Sequence, residues 1–514
     1  MSELGLVWFK RDLRITDHQP LVEASRRGPC LALYIYEPEI CAGEDYDAGH
    51  LRFVNEALVE LRAALGALGA TLLCRVGDAE RVLADLQRES GFSALYSHEE
   101  TGNALTYARD LRVASWARSA GVAWHEYRQF GVVRGLKDRD GWAKRWNTMM
   151  AEPLTAAPAA LKSVAIADPG AIMSPAELGL APRLRDEAQV GGALEAQATL
   201  ASFLTERGAE YQSAMSSPNS AWTACSRLSP HLAYGTISMR TVHQALRAQR
   251  QAVKEARAAK APFPGSWGKS LASFDKRLHW HCHFMQKLES EPNIEHRNMA
   301  SSHDGLREND FDAARFEAWC QGKTGYPMVD ACMRAVSATG WLNFRMRAMV
   351  VSFASYHLWL HWRPTALFLA RAFIDYEPGI HFSQVQMQSG TTGINAVRIY
   401  SPIKQVSDQD PEGHFIKRWV PELAGVPNEN LAQPHLMSRD AQQRAGIWIG
   451  ETYPEPLVEH LPAVREAQSR IRTLRRTPEA RAEADAINTK HGSRRRPDRR
   501  GPRGRKTGAT KAEA

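Results

Sequence analysis

The chain has 514 residues, 44% of them hydrophobic, with a formal net charge of +8, enough apolar material for more than one core and hence for two domains with extensions. No run of about 18 apolar residues occurs and the N-terminus lacks the basic-then-apolar layout of a signal peptide, so a cytoplasmic monomer with no membrane partner is expected. Ten Lys and Arg stand between 490 and 514 against Asp498 and Glu513 alone, so the whole positive excess lies in that tail and residues 1–489 are formally neutral. The seven cysteines include no Cys-x-x-Cys pair, which speaks against a zinc ribbon or an iron–sulfur cluster and makes reduced thiols the default.

Short apolar runs at 4–9, 30–36, 70–76, 94–97 and 122–127 alternate with amphipathic stretches such as 50–69 and 105–119. That alternation predicts a doubly wound parallel α/β sheet over residues 1–135. A glycine-rich dinucleotide fingerprint is missing after the first run, so a conventional NAD site is not expected. Residues 136–195 read as an interdomain connector, with Trp142 and Trp146 early and a Pro/Ala/Gly-rich middle. From 196 to 475 the period is helical: 197–207, 238–258, 271–289, 311–320, 328–338, 343–360 and 364–374 each carry an apolar face. An all-α domain should therefore follow the α/β one. The extension 476–514 ends in HGSRRRPDRRGPRGRKTGATKAEA, which has too little apolar content for a core and is predicted to be disordered. Two readings of that tail stay open: a nonspecific nucleic-acid arm and a solvated end.

The densest motif is GKTGYPMVDACMRAVSATGW, from Gly322 to Trp341. Pro327 suits a first helical turn, the apolar face follows at Met328, Val329, Cys332, Met333 and Val336, and Thr339-Gly340 ends the helix. Ser226-Arg227-Leu228-Ser229-Pro230 offers hydroxyls and backbone N–H groups just before a helix, an arrangement suited to phosphate. With Trp280, Asp375-Tyr376-Glu377, Glu412 to Ile416 and the opening Val7 to Arg14, these blocks make residues 4–465 resemble the photolyase/cryptochrome family. The resemblance implies FAD in the helical half and an antenna domain in front of it, which in many members holds a second, light-harvesting chromophore. It also implies light-driven electron transfer from reduced flavin to pyrimidine dimers in UV-damaged DNA, or, in the alternative, a blue-light photoreceptor that binds FAD without repair.

Carried over residue by residue, the resemblance assigns cofactor contacts to Tyr211, Ser226, Arg227, Leu228, Ser229, Phe344, Arg347, Asp375, Tyr376 and Glu377, with Arg345 at a further arginine position. Cys225 stands where the family's phosphate segment has threonine. His381 takes the place facing flavin N5, commonly Asn in photolyases, and two readings of it stay open: an imidazole, with a reference pKa near 6.5, that donates to or accepts from N5 and makes the flavin's protonation pH dependent, and a neutral histidine satisfied by backbone. In the lesion pocket Trp280 keeps an aromatic platform, while Arg277, His281 and Met387 replace a glutamate, an arginine and a second tryptophan. The (6-4) histidine pair is replaced by Asn343-Phe344, so the lesion type stays open. Trp362 matches the middle of the family's three-tryptophan wire, but Val385 and Asn309 stand at its inner and outer positions, leaving Trp359, Trp341, Tyr356 and Tyr400 as other routes. Leu105-Thr106-Tyr107 replaces a pterin-binding Asn-Glu pair, which leaves the identity of an antenna chromophore open. His279, His281 and His283 do not share one helix face, and no metal is expected.

Overall fold

The structure, a computed structural model, describes residues 3–183, 185–260 and 266–492. The five apolar runs form β1 (Gly5–Phe9), β2 (Cys30–Tyr36), β3 (Leu72–Val76), β4 (Ala94–His98) and β5 (Ala123–Tyr127), each within two residues of expectation. They pair in parallel in the order β3-β2-β1-β4-β5. Helices on both faces bury β1 and β4 along their whole length, which is why those segments read as continuous apolar runs; β5, at an edge, carries polar residues. The chain winds outward in both directions from β1 and β4. The crevice at their carboxyl ends is the usual ligand position of such a sheet.

Helix Ala48–Ala67 joins the sheet to the rest of the molecule. Its Asp47 cap accepts from Gly49 N, and Leu51, Val54, Leu58, Leu61 and Leu65 go into the sheet's core. Phe53 and His50 face the helical half: Phe53 packs 5.3 Å from both His231 and Tyr234, and His50 Nε2 donates to the Phe373 carbonyl at 2.9 Å.

The connector is more ordered than its composition suggests. Trp142, Trp146 and Met150, at i, i+4 and i+8, drive a helix over Trp142–Ala151, and those side chains enter one core with Phe203, Leu246, Trp267 and Phe274. Downstream, helix Pro327–Thr339 ends at Gly340 in the left-handed conformation (φ 70°). The single helix expected over 343–360 is instead Phe344–Ser352 followed by a π-helical turn, Phe353–His357, with Trp359 at φ 55° just beyond it. Helix Pro478–His491, which periodicity did not reveal, packs only Ala480, Ile487 and His491 inward. The predicted disorder of the tail concerns residues 493–514, which lie outside the described residues. Among the described residues no helix is long and apolar enough to cross a membrane.

Two helices set the floor of the site. Trp267–Ser290 and Pro378–Ser389 approach so closely that a Cβ on Gly379 would lie 2.6 Å from Met285 Cα. Only glycine permits that approach.

Candidate functional site

Four guanidinium groups, from Arg207, Arg227, Arg277 and Arg347, surround the half-buried Cys225 and together oppose the burial that pushes its thiol up to about 11. Arg227 is the most constrained of them. Its backbone is left-handed (φ 60°), its guanidinium lies 4.1 Å from the Trp222 ring and 4.0 Å from the Trp341 ring, and its Nε donates to Gln189 at 3.1 Å. Gln189 returns a bond to the Arg227 carbonyl at 2.8 Å. Arg227 Nη1 is buried without a partner, and burial lowers the group's pKa to about 10. A buried cation with an unused donor fits an anion, and a pyrophosphate beside Ser226 and Ser229 would supply one. The residues therefore fit the phosphates of FAD. Gln189 and Trp222 carried no sequence signal, since one lies in the connector and the other in a short helix.

Asp375 is the carboxylate on this side. It accepts a bidentate pair from Arg347, at 3.0 and 2.8 Å, and a bond from Ser229. Glu377 turns the other way, toward Arg11 of the strand-β1 block at 3.6 Å, and burial pushes it up to about 7. Tyr376, expected to face the cofactor, points out of the helical half, and its hydroxyl donates to Asp45 at 2.6 Å. His381 is buried, its Nε2 donating to the Ala366 carbonyl at 2.8 Å, and burial lowers its pKa to about 4. The ring is neutral at physiological pH with Nδ1 left only to accept. Of the two readings of this residue, the geometry is that of a neutral histidine satisfied by backbone.

At the mouth, Arg277 lies 4.5 Å from the Trp280 ring and 5.3 Å from Phe344, both 45% exposed, and also bonds Tyr211 and Met215 Sδ. Where a carboxylate would repel a phosphodiester, this stack presents a cation between two aromatic faces. Asn343 donates to the Met215 and Ser216 carbonyls, and Leu228 is buried behind the serines. Met387 is half-buried on the helix Pro378–Ser389. The three histidines diverge: His279 reaches Asn147, His283 accepts from Arg139, and His281 lies by Phe130 with Nδ1 buried and unpartnered.

Residues 5–133 match the family described as DNA photolyase, and residues 274–473 the FAD binding domain of DNA photolyase. The chain is a member of the photolyase/cryptochrome family. It is 29% identical over 501 residues to a cryptochrome DASH of Gloeobacter violaceus, covering 88% of this chain and 93% of that one. It is also 29% identical over 510 residues to a deoxyribodipyrimidine photo-lyase of Agrobacterium fabrum, covering 92% and 98%. A class III photolyase of Agrobacterium tumefaciens superposes with a TM-score of 0.80 at 26% identity, covering 93% of this chain and 98% of that one. Photolyases and cryptochromes thus both stand among its relatives.

At the family's wire positions, Val385 is core and Asn309 lies in a short 3-10 turn. Trp362 is fully buried and donates to Asn298 at 2.8 Å. The alternative tryptophans carry arginines: Trp341 has Arg227, and Trp359 has Arg307 at 4.5 Å and Arg470 at 4.9 Å. A radical cation on either would form beside a positive charge.

The crevice of the sheet has a volume of about 110 Å³, with Trp8, Tyr34, Tyr46, Glu37, Asp45 and Arg109 in its wall. Tyr107 is 53% exposed and points away, whereas Glu37 and Glu100 bring carboxylates to the wall, both paired with Arg109. Asp12, His18 and His98 also converge, but His18 Nδ1 accepts from Leu21 N, so its Nε2 proton goes to Asp12, as does one from His98 Nδ1. Those protons occupy the positions a metal would need.

Proposed function

We propose that the chain is a photolyase that uses FAD and light to split pyrimidine dimers in UV-damaged DNA. The observation that carries the reading is the exposed Trp280–Arg277–Phe344 stack at the mouth of an arginine-lined site. A base taken out of the duplex needs an aromatic face to stack on, and its flanking phosphates need a cation. Bound FAD supplies a photoexcited one-electron donor. Arg227, Ser226, Ser229 and Tyr211 hold its phosphates, Cys225 and Leu228 close the wall behind them, and the Arg347–Asp375 pair and the neutral His381 position its ring, while Glu377, turned to Arg11, anchors the segment between them. Trp280 receives the damaged base, with Arg277, Phe344 and Met387 around it and His281 turned away toward Phe130, and Trp362 remains an electron-transfer residue. On this reading the functional units are an antenna domain at 1–135, a connector at 136–195, the FAD-binding domain at 196–475 and an extension at 476–514, its basic end aiding DNA binding.

The test is the absorption spectrum of the purified protein, followed by illumination with oligonucleotides carrying cyclobutane or (6-4) dimers, single- and double-stranded. Light-dependent restoration of either lesion supports repair. FAD binding without restoration of any of the four substrates replaces repair with the photoreceptor reading.

Two variants follow. Arg227→Ala is expected to weaken FAD retention about tenfold or more, since a charge-assisted contact contributes about 1.5–3 kcal/mol; equilibrium dialysis against FAD measures it. Trp280→Ala should weaken binding of damaged DNA by the roughly 1–3 kcal/mol of one stacked base. A gel-shift titration at fixed salt reads that loss, with FAD content unchanged.

A further inference from the structure

The tyrosine between the two site carboxylates is placed unlike either of them. Asp375 turns to Arg347 and Glu377 to Arg11, while Tyr376 sends its hydroxyl across the interdomain boundary to Asp45 Oδ2 at 2.6 Å. Its ring meets His381 edge-on at 5.2 Å between centroids, lies 6.3 Å from Phe382 and stacks over His50 at 6.1 Å. The side chain is buried, and its main-chain carbonyl is fixed by Arg11 Nη2 at 2.6 Å. Asp45 is held in turn by the Asn103 amide at 3.0 Å.

Oxidising a buried phenol requires its proton to leave with the electron, because a phenol radical cation is a strong acid. Tyr376 has that acceptor in place. The charges facing its ring and hydroxyl are the carboxylates of Asp45 and Glu295 and the Arg11 cation. Burial, then the Asp45 charge, pushes the phenol well above its ordinary value, so it stays protonated until it is oxidised. Trp341 and Trp359 offer the opposite setting, with guanidinium groups over their rings. The family's usual inner donor position is Val385.

We infer that Tyr376 is an electron donor to the flavin, with Asp45 as the acceptor of its proton. The inference rests on the flavin reading above. In the step, Tyr376 gives one electron to photoexcited oxidised flavin, its O–H bond breaks and the proton moves to Asp45 Oδ2. A neutral tyrosyl radical is left, and the flavin has gained one electron. His381, which meets the ring edge-on and takes the position that the resemblance puts at flavin N5, is the contact through which the electron passes.

The full chain, loaded with FAD, is illuminated with blue light, frozen and examined by electron paramagnetic resonance. The expected result is a tyrosyl signal that narrows when the protein is grown on ring-deuterated tyrosine and vanishes in Tyr376→Phe. Asp45→Asn keeps an oxygen acceptor that takes no proton, and should lower the signal's rate of formation about a hundredfold, the low end of a general base's contribution. The solvent deuterium effect on that rate should vanish with it. A radical unaffected by ring-deuterated tyrosine overturns the inference and leaves the flavin reading intact; that measurement is made on the unsubstituted chain, so a misfolded variant does not obscure it. A tyrosyl signal that persists in flavin-loaded Tyr376→Phe also overturns it. A chain that stays colourless after incubation with FAD overturns the flavin reading and this inference together.

Discussion

Asp375→Ala should destabilise the fold by about 3 kcal/mol and lower FAD retention in the same variant. Breaking a buried ion pair by removing one partner costs about 3–5 kcal/mol, because the remaining charge stays buried without compensation. Asp375 is buried and paired bidentately, but the Arg347 side chain is 27% exposed and can partly turn to water, which favours the lower end. The surroundings resist relief. Arg227 stands nearby, and Arg347 is pinned over Phe373 at 3.9 Å with its Nε on the Leu342 carbonyl. Urea denaturation reads the loss. The double variant Asp375→Ala/Arg347→Ala should recover part of it, since the uncompensated charge is then gone; equal or greater loss in the double variant would mean that Asp375 acts mainly through Ser229. Flavin retention should fall in both, because the pair also fixes the segment carrying Glu377 and His381.

The parallel sheet was legible because burial on both faces forces near-continuous apolar strands; β1 and β2 carry that pattern without interruption, and β4 carries it up to Ser97. The helix Trp142–Ala151 was visible only as two tryptophans, since its polar residues outnumber its three buried ones. The π-helical turn at Phe353–His357 could not be read: its residues are all buried, so no periodic contrast marks where the helix changes pitch. In the site, residue types named the phosphate segment and the Asp375 partner, because those contacts are local or repeat a family block. Directions were not legible. That Tyr376 turns outward while its two neighbours turn to different arginines depends on Asp45, 331 residues earlier. For His381 the sequence left a titrating and a neutral, backbone-satisfied imidazole both open, because only burial, which no local pattern marks, separates them.

The same burial has a consequence for the whole fold. His50, His231, His281 and His381 are each lowered from 6.5 to about 4 by burial, against their ordinary value in the unfolded chain. A base whose folded pKa is depressed adds stability that is full above pH 6.5 and is lost as pH falls toward 4, because the unfolded chain takes up the proton first. Each shift corresponds to about 3 kcal/mol at the acid end. Glu37 and Glu377, pushed up from 4.5 to about 7 by burial, work in the opposite sense and add stability over the same fall in pH. These four histidines, with His303 lowered to about 4 and His98, His283, His357 and His491 to about 3, outweigh the two carboxylates, so the urea midpoint should drop steeply between pH 6.5 and 4.5. His50→Gln keeps a donor for the Phe373 carbonyl but does not titrate, and should flatten that drop by about one proton's slope. A midpoint constant across the window would mean that these histidines are hydrated in solution and that the junction between the sheet and the helical half is looser than its packing implies.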